Sequence, residues 1–307
     1  MLITGATGFI GRHTLRELID SGYEVHAIHN KNTPQTGVSE KLNWHQSDLL
    51  SPNVIPTLVA SIRPTHLLHF GWYTEPGNYL ESQRNSDWVR ASIQLMSEFA
   101  SNGGERFVAA GTCFEYDDRF GYCREDMTPL APTSLYGHCK NSLRSILQAQ
   151  AKNYKLPFAW GRIFFLYGPH EHPSRLVSSV IKSLLQGEQA KCSAGTQVRD
   201  FMHVADVAAG FTALLDGEVE GSVNICSGQA VTIRDVVSTM AEYLNSTELL
   251  RMGALPMRPN EPPLLVGKTD RLRNEVGFTP KFDLSTGLAN TIEWWRSELQ
   301  AQANGLY

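Results

Sequence analysis

The chain has 307 residues, 42% of them apolar and 19% charged, with a formal net charge of −4. That length suits one large domain or two unequal ones, and the composition is that of a globular protein. A mildly acidic balance with no basic cluster argues against a nucleic-acid surface, and no apolar run reaches the length that spans a bilayer. Met1-Leu2-Ile3-Thr4-Gly5 has neither the charged nor the apolar region of a signal peptide. The five cysteines (Cys113, Cys123, Cys139, Cys192 and Cys226) are odd in number and lack CxxC spacing, so no disulfide framework or metal site is expected and a reducing cytoplasm fits.

In chain order, residues 1–4 read as a short strand that runs into Gly5-Ala-Thr-Gly8-Phe-Ile-Gly11 and then a helix at 10–21. Glycines at this spacing permit a tight bend, close approach of the backbone to a pyrophosphate, and packing of helix on strand, with the anion at the helix N-terminus. A second strand at 24–29 completes the context that a dinucleotide turn requires. Gly5, Thr7, Gly8, Phe9, Ile10, Gly11 and Arg12 are therefore the first cofactor candidates.

The end of the second strand bears on which dinucleotide binds. A carboxylate there would take a ribose 2′-hydroxyl; this chain has His29-Asn30-Lys31 instead, and Arg12 offers a second cation. NADP(H) is favoured, with NAD(H) as the alternative. Asp48, beside Leu49, suits either an adenine amino group or a cap on the following turn. Strands at 42–45, 66–70, 106–110 and 158–165 alternate with helices at 54–62, 85–101 and 136–153. This predicts an α/β, doubly wound parallel (Rossmann) sheet. Trp72 and Tyr73 lie just past a strand end, where they either line a sugar pocket or cover the core.

Beyond residue 168 the regularity fades. Helices are expected at 174–187, 206–216, 232–245 and 283–302, a strand at 222–226, and a Pro-rich loop at 253–270. The chain is thus expected to divide into a dinucleotide-binding domain, 1–167, with part of 204–228 returning to it, and a smaller C-terminal α/β substrate domain, mainly 168–307.

Within Ser134-Leu-Tyr136-Gly-His-Cys-Lys140, Tyr136 and Lys140 stand four apart and share one helix face. A phenol beside an ammonium should have its pKa lowered toward working pH and can exchange a proton with a sugar oxygen or carbonyl. Taken alone, such a pair is more often a solvated helix face.

The glycine turn, Thr112, Tyr136-Gly-His-Cys-Lys140 and Arg199-Asp-Phe-Met-His203-Val-Ala-Asp206 together resemble the extended short-chain dehydrogenase/reductases, most closely the NAD-dependent epimerase/dehydratase branch acting on nucleotide sugars. The resemblance spans nearly the whole chain. It implies Tyr136 as acid/base, Lys140 on the nicotinamide ribose, and Thr112 on the reacting oxygen. It places Arg199 on the diphosphate of a nucleotide-sugar substrate, with Arg258 and Glu261 contacting diphosphate and ribose, unless these two lie on a solvated loop. Arg175 is counted on the substrate side. Relatives pair helices equivalent to 85–101 and 135–153, so a homodimer through these is the expected partner, with neither nucleic acid nor membrane.

The departures from that pattern matter too. Dehydratases of this branch carry an Asp-Glu pair where this chain has Cys113 and Phe114, which disfavours a 4,6-dehydratase. Phe165 and Trp88 replace frequent asparagines. Glu115 either orients substrate or forms a structural salt bridge. The resulting expectation is an NADPH-dependent ketoreductase of a nucleotide-activated deoxysugar, at C4 for preference. A nucleotide-sugar epimerase is the alternative, and a non-catalytic NADP-responsive binding protein is a more remote one.

Overall fold

The structure, a computed structural model, describes residues 1–30, 39–257 and 261–304. The first part of the chain forms β1 (Leu2–Thr4), α1 (Phe9–Asp20), β2 (Val25–His29), β3 (Leu42–Gln46), α2 (Val54–Ile62), β4 (His66–His69), α3 (Arg84–Ser101) and β5 (Arg106–Thr112). It continues with β6 (Tyr122–Cys123), α4 (Leu135–Tyr154), β7 (Phe158–Ile163), β8 (Phe165–Tyr167), α5 (Leu176–Leu185), β9 (Ala190–Lys191) and β10 (Val198–His203). The remainder forms α6 (Val204–Asp216), β11 (Gly221–Ile225), β12 (Ala230–Thr232), α7 (Ile233–Tyr243), β13 (Leu250–Arg251), β14 (Leu264–Gly267) and α8 (Leu284–Ala303).

Seven parallel strands in the order β11-β7-β5-β4-β1-β2-β3 make the main sheet, which is Rossmann-like. Its central strands are mostly buried because both faces are covered, and their apolar residues carry the packing, whereas the edge strand β3 is half-exposed and mostly polar. One face is packed by Leu15 and Leu18 of α1 and Phe211, Leu214 and Leu215 of α6. The other is packed by residues of α2, α3 and α4, among them Leu58, Leu95, Phe99, Leu143 and Leu147. Strand order reverses between β1 and β4, so a crevice opens at their C-terminal ends, the usual ligand position in such sheets. The glycine turn sits there under close constraint. Gly5 has φ +68°, and a Cβ on it would lie 2.8 Å from the Phe70 backbone; one on Gly11 would lie 2.2 Å from the Gly5 carbonyl oxygen.

A second sheet has the order β12-β10-β14-β6, with β8 alongside β10. Behind it α5, α7 and α8 share a core that includes Val180, Ile181, Val237, Met240, Ile292 and Trp295. The chain passes between the two sheets more than once: β11 pairs with β7 in the main sheet, whereas β6 pairs with β14 and β8 with β10 in the second.

Three stretches differ from expectation. The run at 158–165 is not one strand: β7 ends at Ile163, and after Phe164 the chain enters the second sheet as β8. The Pro-rich stretch 253–270 contains β14, and the segment around Arg199 is β10. β10 hides in the sequence because Arg199 and Asp200 are polar side chains buried in the strand, and β14 because Pro262 and Pro263 stand directly before it. Asp200, fully buried, accepts from Ser227 N (2.8 Å), Ser227 Oγ (2.7 Å), Gly228 N (3.0 Å) and Gly267 N (3.2 Å). Replacing it removes the acceptor for four donors at once. Asp200→Ala is expected to lower the unfolding free energy by about 3 kcal/mol or more in urea titration, and an unchanged midpoint would contradict this account.

Candidate active site

Ser134 starts α4 by accepting from Gly137 N through its Oγ (3.1 Å). The first two turns then present Tyr136 and Lys140 on one buried face, at 8% and 4% exposure. Thr112, the last residue of β5 and 5% exposed, has its side chain beside the phenol, where it favours the phenolate. The three resemblance-implied catalytic residues therefore meet at the crevice. Aromatic rings enclose the phenol: Tyr79 at 5.0 Å between centroids, Trp72 at 6.4 Å and Phe114 at 6.5 Å, each edge-on.

The electrostatics differ from the expectation that Lys140 lowers the phenol's pKa. Burial, with Tyr79 alongside, raises Tyr136 well above a free phenol, against an opposing pull from Thr112. Helical spacing puts Lys140 on the right face, but its ammonium donates to the Ala110 carbonyl (2.8 Å) and lies 3.7 Å from the centre of the Trp72 ring. Burial pushes Lys140 down to about 7, with the Glu115 carboxylate pulling it up.

Glu115 does not reach substrate. It is fully buried, accepting from Thr112 N (2.8 Å), Trp160 Nε1 (2.8 Å) and Arg162 Nε (2.8 Å). This is the structural alternative, and it has a purpose: Thr112 and Glu115 form a capping box that fixes where the Thr112 hydroxyl stands. Arg162, itself buried, also donates to the Tyr116 hydroxyl (3.0 Å). The Thr-x-x-Glu spacing at 112–115 is the sequence signal from which this role was readable.

On the substrate side, two paths of contact leave the phenol. Tyr79, which sequence reasoning missed, links Tyr136 to Arg175, whose guanidinium lies 5.4 Å from the Tyr79 ring. Phe114 leads to Phe165 (6.2 Å) and onward to Arg199, 5.3 Å from the Phe165 ring. Arg199 is buried at 2% exposure and ion-paired with Glu261 (3.1 Å), whose other oxygen accepts from Gln197 Nε2 (2.8 Å). Tyr73 packs under Arg84 instead, 5.1 Å from its guanidinium carbon. Arg258 lies outside the described residues.

On the cofactor side, α1 begins at Gly8 with no side chain among the described residues capping it and no acid in its first turn, so its N–H groups are free to meet an anion. With the close approaches at Gly5 and Gly11, this turn fits a dinucleotide pyrophosphate. Thr7 and Phe9 line a cavity of about 480 Å³ together with Arg12, His170 and Trp294. Arg12, which donates to Thr7 O (3.0 Å), thus stands on the α8 side of the turn. Ile10 packs against the core beneath α1. At the end of β2, His29 is buried edge-on to Trp44 (5.7 Å), Asn30 is exposed, and Lys31 lies outside the described residues. Asp48 accepts from Leu50 N (3.1 Å), and Leu49 is part of the core.

A glycine turn at a strand-order switch, facing a buried Thr-Tyr-Lys set across a two-sheet crevice, defines a class of protein. Residues 1–226 match the NAD-dependent epimerase/dehydratase family, and the chain belongs to that family, with the extended short-chain dehydrogenase/reductase fold. Over its whole length the chain is 26% identical to UDP-glucuronic acid decarboxylase 1 of Xenopus tropicalis, covering 74% of that protein. It is 30% identical to MoeE5, solved in complex with UDP-glucose and NAD, with a TM-score of 0.83 over 97% of this chain and 99% of the other. A UDP-glucose 4-epimerase of Thermotoga maritima solved with UDP-glucose superposes with a TM-score of 0.87 at 21% identity, over 97% and 99% of the two chains. Among the described residues, no helix is long and apolar enough to cross a membrane.

Two outcomes follow from these contacts. Glu115→Ala strands Arg162 without its buried partner and is expected to cost about 3–5 kcal/mol in chemical denaturation; a cost below 1 kcal/mol would deny the carboxylate its structural part. Lys140 gives a second test, through pH. The unfolded chain keeps the Lys140 proton to about pH 10.4, while the folded protein gives it up near 7. Unfolding therefore takes up a proton between those limits, and Lys140 makes stability rise with pH across that window. Lys140→Met should flatten that rise, as measured by denaturation midpoints from pH 6 to 10.

Proposed function

We propose that the chain reduces a keto group, for preference at C4, of a nucleotide-activated deoxysugar, with Tyr136 as proton donor. The observation that carries this reading is the setting of Tyr136: buried at the head of α4 beside Thr112, with burial favouring its protonated form. A neutral phenol is equipped to give a proton to an oxygen that becomes negative as the ketone is reduced, and Thr112 supplies a further hydrogen bond there. When bound, the cofactor supplies the hydride. Atoms balance simply: the carbonyl carbon takes a hydride, its oxygen takes the Tyr136 proton, and an alcohol results. No carboxylate stands at 113 or 114 to draw a proton from a neighbouring carbon, which favours chemistry confined to one carbon.

The absence of an acid at His29-Asn30 supports NADP(H) as the preferred cofactor, with Gly5, Gly8, Gly11 and the start of α1 holding its pyrophosphate. Arg199, Arg175 and Glu261 are the groups suited to a diphosphate-sugar, as they line the two paths away from the phenol. The lobes bearing these functions are taken as 1–167 with part of 204–228, and the rest. Helices α3 and α4 pack together, and Ile146 on α4 is exposed, which suits a homodimer through them. Epimerisation is the second reading, favoured by the UDP-glucose 4-epimerases among the similar proteins.

Tyr136→Phe should reduce turnover of a 4-keto-deoxysugar nucleotide at least 100-fold while leaving cofactor affinity, measured by calorimetry, within about threefold. Turnover close to wild type would remove the assignment. In wild type, NADPH should bind more tightly than NADH, and equal or reversed affinities would overturn the cofactor preference. If freshly purified protein instead holds stoichiometric NAD and consumes no NADPH on any keto-sugar nucleotide, the epimerase reading replaces the reductase.

A further inference from the structure

Lys140 has an unusual setting for an ammonium. It is 4% exposed and, among the described residues, forms no ion pair; its hydrogen-bond partner is the neutral Ala110 carbonyl at 2.8 Å. A lone charge in such a place should discharge unless another favourable field replaces water. Two indoles flank it, Trp72 with its ring centre 3.7 Å from Nζ and Trp160 at 5.7 Å. The negative face of a tryptophan ring at such a distance attracts a cation, more strongly where water is excluded.

Trp72 is itself held rigidly. Its Nε1 donates to Asn85 Oδ1 (2.8 Å), and Asn85 is fully buried with its amide nitrogen donating to Tyr79 O (2.7 Å) and Ser82 O (2.9 Å). The Trp72 ring stacks on Trp88 (6.3 Å, 27° between planes) and meets Tyr136 edge-on. These contacts hold the indole over the ammonium it covers.

We propose that Trp72 is a positioning residue for Lys140, its indole face fixing the direction of the ammonium and preserving its charge within a dry site. This rests on the reading of Lys140 as an active-site residue, and it gives Trp72 a part other than lining a sugar pocket. Other groups face Lys140 from the elements packed around it. Glu115, after β5, favours the charged form. His69 on β4 is bonded to Thr4 and Ser92 and stays neutral, burial and Lys140 pressing it down to about 3. Tyr136 on α4 stays protonated. Arg144 and Arg162 lie behind Glu115, at 4.0 and 2.8 Å from its carboxylate.

The test uses the rise of stability with pH that Lys140 generates. In Trp72→Leu the onset of that rise should move to lower pH by about one unit, since the lysine then loses its proton sooner. Trp72→Phe keeps a ring face but loses the bond to Asn85, and its onset should fall between Leu and wild type. A purely structural role would lower the melting temperature of both variants without moving the onset, and that result overturns the proposal. An onset displaced to higher pH overturns it equally, because it would mean that water serves the ammonium better than the ring. Calorimetry with NADPH separates this inference from the functional reading. If Lys140→Met binds NADPH as wild type does, Lys140 is no cofactor residue. If Lys140→Met weakens binding about tenfold or more while Trp72→Leu has no effect at pH 7, only the part assigned to Trp72 fails.

Discussion

The buried carboxylate of Glu115 is the contact on which the active-site geometry depends. It joins the end of β5 to β7 through Trp160 and Arg162, and in the same stroke fixes the backbone of Thr112. A charge taken out of water is tolerated only where its lone pairs are satisfied. Here three donors converge at 2.8 Å, and the Arg162 guanidinium compensates the charge. The same negative charge reaches further, favouring the charged form of Lys140 and the protonated form of Tyr136. One ion pair thus sets the position of the hydroxyl and biases the charge state of both its partners.

Much of the fold was legible in the sequence where one rule dominates. The glycine turn, the switch between strand and helix periods, and helices such as α3 and α4 came out within a residue or two of their observed bounds, because their apolar faces are continuous. β10 was hidden because Arg199 and Asp200 occupy consecutive buried positions with polar partners, which erases the apolar signal. β14 was hidden by the prolines just ahead of it. Neither pattern is anomalous once tertiary partners are known, since buried polar groups in strands are acceptable when every bond is made.

For the candidate site, the Tyr136 and Lys140 pair was legible because helical spacing is local, and Thr112 came through the resemblance, whereas the electrostatics were not legible. Sequence spacing brings a phenol and an ammonium to one face but says nothing of what competes for the ammonium. The Ala110 carbonyl and the Trp72 ring come from other elements and claim it first. Tyr79 was missed for a related reason: it sits in the crossover after β4, beyond any periodic pattern, and is recruited by its ring packing on Tyr136. Arg199 was foreseen as a diphosphate ligand and is found engaged by Glu261, so an incoming anion would meet a cation that already has an acidic neighbour.

The passage from β7 to β8 takes a single residue. Ile163 ends a strand of one sheet, Phe165 begins a strand of the other, and the Phe164 amide between them is tied to the Ile225 carbonyl (3.3 Å). With one residue between them, the two sheets share a corner at the base of the crevice, and the Phe164 amide ties that corner to β11. The chain that forms β7 in the main sheet thus runs directly into β8 beside Arg199's strand, so the two sides of the cleft are joined through one continuous stretch of backbone.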